Sequence, residues 1–306
     1  MNRREILKAG SLAIAAGALG AVSSWAQETP KPKSGDFKLK YAPGWGEFGK
    51  LAGGDPLSRL TFMREQGFRA MFHNGLPGES PEMQEKIGAK MKELGMTLGP
   101  YVLYADFSVK TFVLKDDEVR KMLLEKMKQS VEIMKRCGAQ YALVVPGRYD
   151  ESLEWEYQTA NVIDNLRYCC DAVEEAGVTL VLEPLNRWNH PGLFLTKIPQ
   201  AFEVCRAVNR KSCKIVNDLY HQQITEGNLI PNIDHAWSEI ATFHLGDNPG
   251  RQEPGTGEIN FKSIFKHLYE KKYDGALCME HGKSKKDKEG EQALIDAYRA
   301  ADSFEV

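Results

Sequence analysis

The 306-residue sequence is poor in the features that mark several common protein classes. Its six cysteines form no C-x-x-C pair, which leaves no zinc ribbon or dithiol redox motif to read. No G-x-G-x-x-G follows the first strand-like run, so the dinucleotide-binding form of an open sheet has no support. There is no low-complexity tract, and beyond the first 26 residues no segment approaches the roughly 18 apolar residues of a membrane span. Excess charge of one sign is missing too. Setting aside Arg3, Arg4, Lys8 and Glu5 from 40 basic and 42 acidic residues leaves 37 against 41. That balance gives no reason to expect nucleic acid or an anionic membrane as partner. With 42% hydrophobic residues the chain can bury a substantial core.

The N-terminus reads as an export signal. Arg3 and Arg4 precede the mildly apolar run "SLAIAAGALGAVSS", and Ser24 and Ala26 place small residues at −3 and −1 of a cleavage site. The paired arginines resemble the twin-arginine type, although an uncut membrane anchor shares the layout. The expectation is a signal peptide at 1–26, a linker at 27–36, and a single domain at 37–306 that is soluble and extracytoplasmic. Cys137, Cys169, Cys170, Cys205, Cys213 and Cys278 sit mostly in apolar runs, where Cys behaves as a small hydrophobe. No disulfide framework is expected.

From residue 37 onward, strand-like and helix-like segments alternate. The predicted strands are "KLKYAP" (38–43), "FRAMFH" (68–73), "TLGPYVL" (97–103), "YALVVP" (141–146), "VTLVLEP" (178–184), "CKIVND" (213–218), "IATFHLG" (240–246) and "GALCMEH" (275–281). Between them, runs such as "SPEMQEKIGAKMKELG" carry apolar residues at helical spacing. Gly67, Gly95, Gly138 and Gly177 close helices just before a strand. Eight strands, each followed by a helix, predict an α/β fold of the closed (β/α)8 TIM-barrel type.

Chemistry in such a barrel gathers at the C-terminal ends of the strands. The last four predicted strands end in Glu183, Asp218, His244 and Glu280. Singly, each could be a helix cap, a rim ion pair or a core histidine. Together they would crowd three carboxylates that repel unless a cation sits among them. Three oxygens and one imidazole suit one divalent ion: Mn²⁺, Mg²⁺, Co²⁺ or Zn²⁺. His221, in a D-x-x-H pair with Asp218, lies too far along to be an obvious ligand and is expected to touch substrate. After His244 comes "HLGDNPGRQEPGTGEINF" (244–261), far longer than the about 2–6 residues a plain connection needs.

The segments "LEPLNRWNHPG", "NDLYHQQ", "HLGDNPGRQEPGTGEINF" and "MEHG" resemble the xylose-isomerase-like barrel superfamily, which includes sugar 3-epimerases and hydroxypyruvate isomerase. The "PGRQEPGTGEINF" run is most similar to the hydroxypyruvate isomerase branch. The resemblance implies that Glu183, Asp218, His244 and Glu280 bind one divalent metal, and that His221 and Arg251 bind substrate. The implied activity is isomerisation or epimerisation of a small carbohydrate or hydroxy-carbonyl compound. An α-proton is removed and a cis-enediolate forms, with Glu183 and Glu280 as the acid/base pair. Glu253 is expected to orient Arg251 or His221, while Trp188 and His73 are expected in the substrate pocket, with Trp45 and Tyr104 as further candidates for stacking on a sugar. Three positions depart from relatives: His244 stands where hydroxypyruvate isomerases tend to have Gln, Asn189 replaces a Glu of the epimerase motif, and His73 replaces a Glu. Export suits other substrates of this barrel type, so a lyase that eliminates the aglycone from 3-keto-glycosides is a second reading. A sugar-binding barrel without chemistry is a third. Neither nucleic acid nor a membrane, apart from the export signal, is expected as partner, and the sequence leaves room for a homo-oligomer.

Overall fold

A computed structural model describes residues 33–306. The expected signal peptide and most of the linker lie outside the described residues. Parallel strands β1 (Lys40–Ala42), β2 (Ala70–Met71), β3 (Thr97–Leu98), β4 (Tyr101–Tyr104), β5 (Tyr141–Val144), β6 (Thr179–Leu182), β7 (Cys213–Asp218), β8 (Ile240–His244) and β9 (Ala276–Cys278) run in chain order. Seven of them pair as β1-β9-β8-β7-β6-β5-β4, and β2 pairs with β3. A parallel bridge between Gly44 and Phe72 joins the β1 end to β2. The eight staves of the predicted barrel are all present, one of them built from two short strands.

That divided stave is the run predicted as a single strand over 97–103. Pro100 lacks the N–H a ladder needs. A side chain at Gly99 would meet Cys278 Sγ and Phe72 Cβ, each at 2.9 Å, so the backbone packs against its neighbours there. Elsewhere the period of two holds. Leu143, Val145, Val181 and Val216 face the barrel interior, while Ala142, Val144, Leu180 and Leu182 face the helices.

The helices begin and end where their residues require. Asp55 caps α1 (Pro56–Glu65) through Ser58 N–H, and Ser80 caps α2 (Pro81–Leu94) through Met83 N–H. Asp116 caps α3 (Asp117–Cys137) through two backbone N–H groups. The four glycines predicted to close helices all have positive φ, between 62° and 88°. All six cysteines are buried free thiols. Among the described residues no helix is long and apolar enough to cross a membrane.

Candidate metal centre and active site

Four strand ends deliver four side chains to one place. Glu183 directly follows β6, Asp218 and His244 end β7 and β8, and Glu280 stands two residues past β9. One ligand atom from each lies within 4.8 Å of the others. His244 Nδ1 is 2.9 Å from Glu183 Oε1 and 3.1 Å from Glu280 Oε2. Arg251 Nη2 donates to Asp218 Oδ2 at 2.9 Å and to Glu280 Oε2 at 2.7 Å. The other oxygen of Glu280 accepts from Asn74 Nδ2 at 2.6 Å.

Asp218 holds two roles at once. Its Oδ1 caps α4 (Leu219–Thr225), accepting from the N–H groups of Tyr220 at 2.8 Å and His221 at 3.1 Å. Its Oδ2 is left for the cluster. The helix-cap and ligand readings of this residue are therefore compatible.

Burial and mutual charge set the proton affinities. Burial, reinforced by the negative charge of Glu280, pushes the Glu183 carboxyl up to about 7, against the pull of His244. Burial works the same way on Glu280, but His244 and Arg251 outweigh it and hold that carboxyl well below the usual range. Burial would depress His244, yet Glu280 and Glu183 raise it well above the ordinary imidazole value. His221 is pushed down to about 4, chiefly by burial, and is neutral.

The donor set fits a divalent cation. Three carboxylates and an imidazole converge at bonding reach, and the Arg251 guanidinium supplies positive charge beside them. The nitrogen that would bind a cation must be free of a proton, so a cation held through His244 Nδ1 would compete with the contacts that nitrogen makes to Glu183 and Glu280. Arg251 reaches the cluster from a backbone in the left-handed region, at φ 52°.

The loop carrying Arg251 is fastened from within. Asp247 is fully buried. Its Oδ1 accepts from Asn248 N at 2.9 Å and Ile259 N at 3.0 Å, and its Oδ2 from Gly255 N at 2.8 Å and Gly257 N at 2.9 Å. A Cβ on Gly257 would lie 2.2 Å from Asn248 O. Only glycine lets the two arms of the loop pass this closely.

A cavity of about 650 Å³ opens above the cluster, lined by polar Glu183, Glu280, His221, Arg251, Asn74, His190 and His281 and by apolar Val102, Leu143, Val145, Leu185 and Phe107. His221 and Arg251 thus stand where the sequence places substrate contacts. Three other expected contacts do not line it. His73 turns to Glu79, 2.9 Å away, and stacks on Trp45. Glu253 accepts from the N–H of Ser284 at 2.9 Å and from its hydroxyl, so it braces the loop against residue 284. Trp188 is 57% exposed, with the Arg187 guanidinium over its ring. Asn74, His190 and His281 are polar lining residues to which the sequence assigned no role. Alternation along the second stave points to the first: Ala70 and Phe72 face inward, Met71 outward, so Asn74 follows the inward parity and His73 does not.

The model of the xylose isomerase-like TIM barrel family matches residues 60–301. The chain belongs to that family. Within it, hydroxypyruvate isomerase of Escherichia coli is 34% identical over 140 residues, covering 46% of this chain and 54% of that protein. The match therefore spans about half the length of this curated relative. Among solved structures, 3-keto-D-glucoside 4-epimerase from E. coli superposes with a TM-score of 0.71 at 20% identity, covering 87% of this chain and 100% of that one. The IOLI protein, solved with a bound zinc atom, gives a TM-score of 0.64 at 18% identity, covering 85% of this chain and 96% of that one. At these identities the structural likeness shows the shared barrel fold.

Proposed function

We propose that this protein is a divalent-metal-dependent isomerase or epimerase of a small hydroxy-carbonyl compound or free sugar, working by removal of a proton beside a carbonyl. The observation that carries the reading is the meeting of Glu183, Asp218, His244 and Glu280 at one end of the barrel, with a substrate-sized cavity above them. The kinship with hydroxypyruvate isomerase supports the reaction class.

A divalent ion held by these four residues would supply electrophilic pull on the substrate's carbonyl oxygen. The residues themselves do the remaining work. Glu183 and Glu280 sit on strands separated by two others around the barrel, which sets two carboxylates at different angles to one substrate. One takes the α-proton and the other returns it. Arg251 and His221 present N–H groups to the substrate's oxygens, and the apolar wall excludes water from that side.

That apolar wall favours a second reading. Val102, Leu143, Val145 and Leu185 offer nothing to a three-carbon hydroxy acid, whereas they suit a larger keto-sugar or its apolar substituent. A lyase eliminating the aglycone of a 3-keto-glycoside begins with the same proton abstraction and uses the same residues.

Incubation in D2O with each substrate class separates the two. Deuterium incorporation without loss of a leaving group supports the isomerase or epimerase, and aglycone release supports the lyase. Glu183→Gln and Glu280→Gln each lower turnover by about 10²-fold or more. Near-normal exchange in either variant removes that residue from the pair. We also place the working enzyme outside the cytoplasm, from the export-signal pattern at 1–26, and cell fractionation tests this.

A further inference from the structure

His221 is 2% exposed and lines the cavity, yet its Nε2 has no hydrogen-bond partner within the protein. Its other ring nitrogen is crowded with donors. Asn186 N lies 3.3 Å from Nδ1, and Asn186 Nδ2 lies 2.7 Å from it.

A backbone N–H donates whatever the ring does. The amide orientation follows from a second pair of backbone groups. Asn186 Oδ1 accepts from the N–H of Trp188 at 3.2 Å and of Asn189 at 2.9 Å. Turned around, the amide would set its NH2 against those two donors. The NH2 therefore faces the imidazole, with its second hydrogen on Asn189 Oδ1 at 2.8 Å. Two donors converging on Nδ1 require a lone pair there, and the single proton of the neutral ring is left on Nε2. Asn186 is fully buried and three residues beyond Glu183, so the lock is built into the same loop as a ligand.

We infer that Asn186 is a positioning residue that fixes His221 as a neutral imidazole whose Nε2–H points into the cavity as a donor to a substrate oxygen. The substrate half of this inference rests on the proposed function. The tautomer half does not. A nitrogen that carries a proton offers no lone pair to a metal, so His221 stays outside the four-residue donor set although Nε2 is 3.7 Å from Asp218 Oδ2. Its place is beside the oxygen on which negative charge grows as the α-proton leaves. A neutral donor there adds hydrogen bonding without adding a further positive charge beside the Arg251 guanidinium.

The experiment is long-range ¹H–¹⁵N correlation on protein labelled with ¹⁵N-histidine, with the His221 signals assigned by their loss in His221→Gln. The expected spectrum shows a protonated Nε2 and a bare Nδ1, unchanged when zinc is added. A bare Nε2 in the wild type, or loss of its proton on adding zinc, overturns the inference. In Asn186→Asp the second carboxylate oxygen accepts where the amide donated, while the backbone N–H remains, so a measurable share of the proton moves to Nδ1, and a spectrum identical to wild type refutes the side-chain part of the lock. For the donor's use, His221→Leu lowers α-proton exchange by about 10²-fold, and unaltered exchange overturns that half. If no substrate exchanges in any variant while the tautomer is as stated, the proposed function fails and the lock stands.

Discussion

Replacing Asp247 by Asn tests whether one buried carboxylate holds the loop that carries Arg251. The aspartate takes four backbone N–H groups, two on each oxygen. An amide keeps one oxygen and so at most two of these bonds. The other two N–H groups then face an NH2 that cannot accept. Hydrogen bonds to a charged group contribute about 1.5–3 kcal/mol each, so losing two costs about 3–6 kcal/mol. Relaxing the left-handed backbone of Arg251 returns about 1–3 kcal/mol. The net is about 0–5 kcal/mol, centred on about 2.5 kcal/mol, felt locally because the loop can open without the barrel. At about 1.4 kcal/mol per tenfold, amide exchange of residues 251–259 should accelerate by about 10- to 10²-fold, while the helices exchange as before. Hydrogen exchange read by mass spectrometry on peptides covering 244–261 measures this directly. Turnover should fall alongside, because Arg251 loses its fixed approach to Asp218 and Glu280. Wild-type protection of the loop in Asp247→Asn would refute the reasoning, since it would mean that packing, not the carboxylate, secures these residues.

Three further outcomes are expected. Gly257→Ala, whose new Cβ would lie 2.2 Å from Asn248 O and 2.7 Å from Asp247 Oδ1, should open the same loop, and exchange indistinguishable from wild type would show that the backbone can yield. Arg251→Met leaves Asp218 and Glu280 without their shared guanidinium, so its melting temperature should drop more in chelator than with a saturating divalent cation; equal drops would remove Arg251 as a source of countercharge. Asp36 is bonded by both terminal nitrogens of Arg64, at 2.5 and 3.1 Å, and although burial opposes it, that pairing depresses the carboxyl below its ordinary 3.8. A depressed acid stabilises the fold above its unfolded value and loses that contribution as pH falls through the folded one. Asp36→Asn should therefore lower the melting temperature at pH 7 and converge with wild type as pH falls through the depressed value of the folded carboxyl, and a gap that stays constant as acid is added would contradict the pairing.

Much of this architecture was legible because a parallel barrel writes itself as repetition. Each strand had to be apolar on both faces and several helices close on a glycine with positive φ, as at Gly67, Gly95, Gly138 and Gly177, and both patterns survive in a single sequence. The four cluster residues were legible for the same reason, as polar residues at the ends of apolar runs. What escaped was decided by contacts between distant segments. Glu253 stands two residues from Arg251 and reads as its partner, but its carboxylate is claimed by Ser284, 31 residues away. His73 has the more conspicuous chemistry of its pair, yet strand parity hands the site to Asn74 and leaves His73 to Glu79. Trp188 offered an aromatic face beside a strand end, but it is held outside by a loop in which Asn186 bonds inward.

The division of labour between strands and loop has a physical logic of its own. A cation held by four ligands needs donor atoms fixed to a few tenths of an ångström, and strands hydrogen-bonded on both sides supply that. A group that meets substrate must instead reach across the mouth of the barrel, beyond the last strand residue. The long segment after His244 carries Arg251 across that mouth to Asp218 and Glu280, on a stretch, 246–258, that contributes no residue to the apolar core. Burying one carboxylate and directing four backbone N–H groups at it substitutes hydrogen bonding for packing. The same segment then anchors its far side through Glu253 to Ser284, and the backbone of Arg251 accepts from Gly282 N at 2.8 Å. Arg251 is thereby held from three directions in a conformation that a free chain would leave. The strain is maintained by the surroundings, which is what allows a residue on a loop to act with the precision of one on a strand.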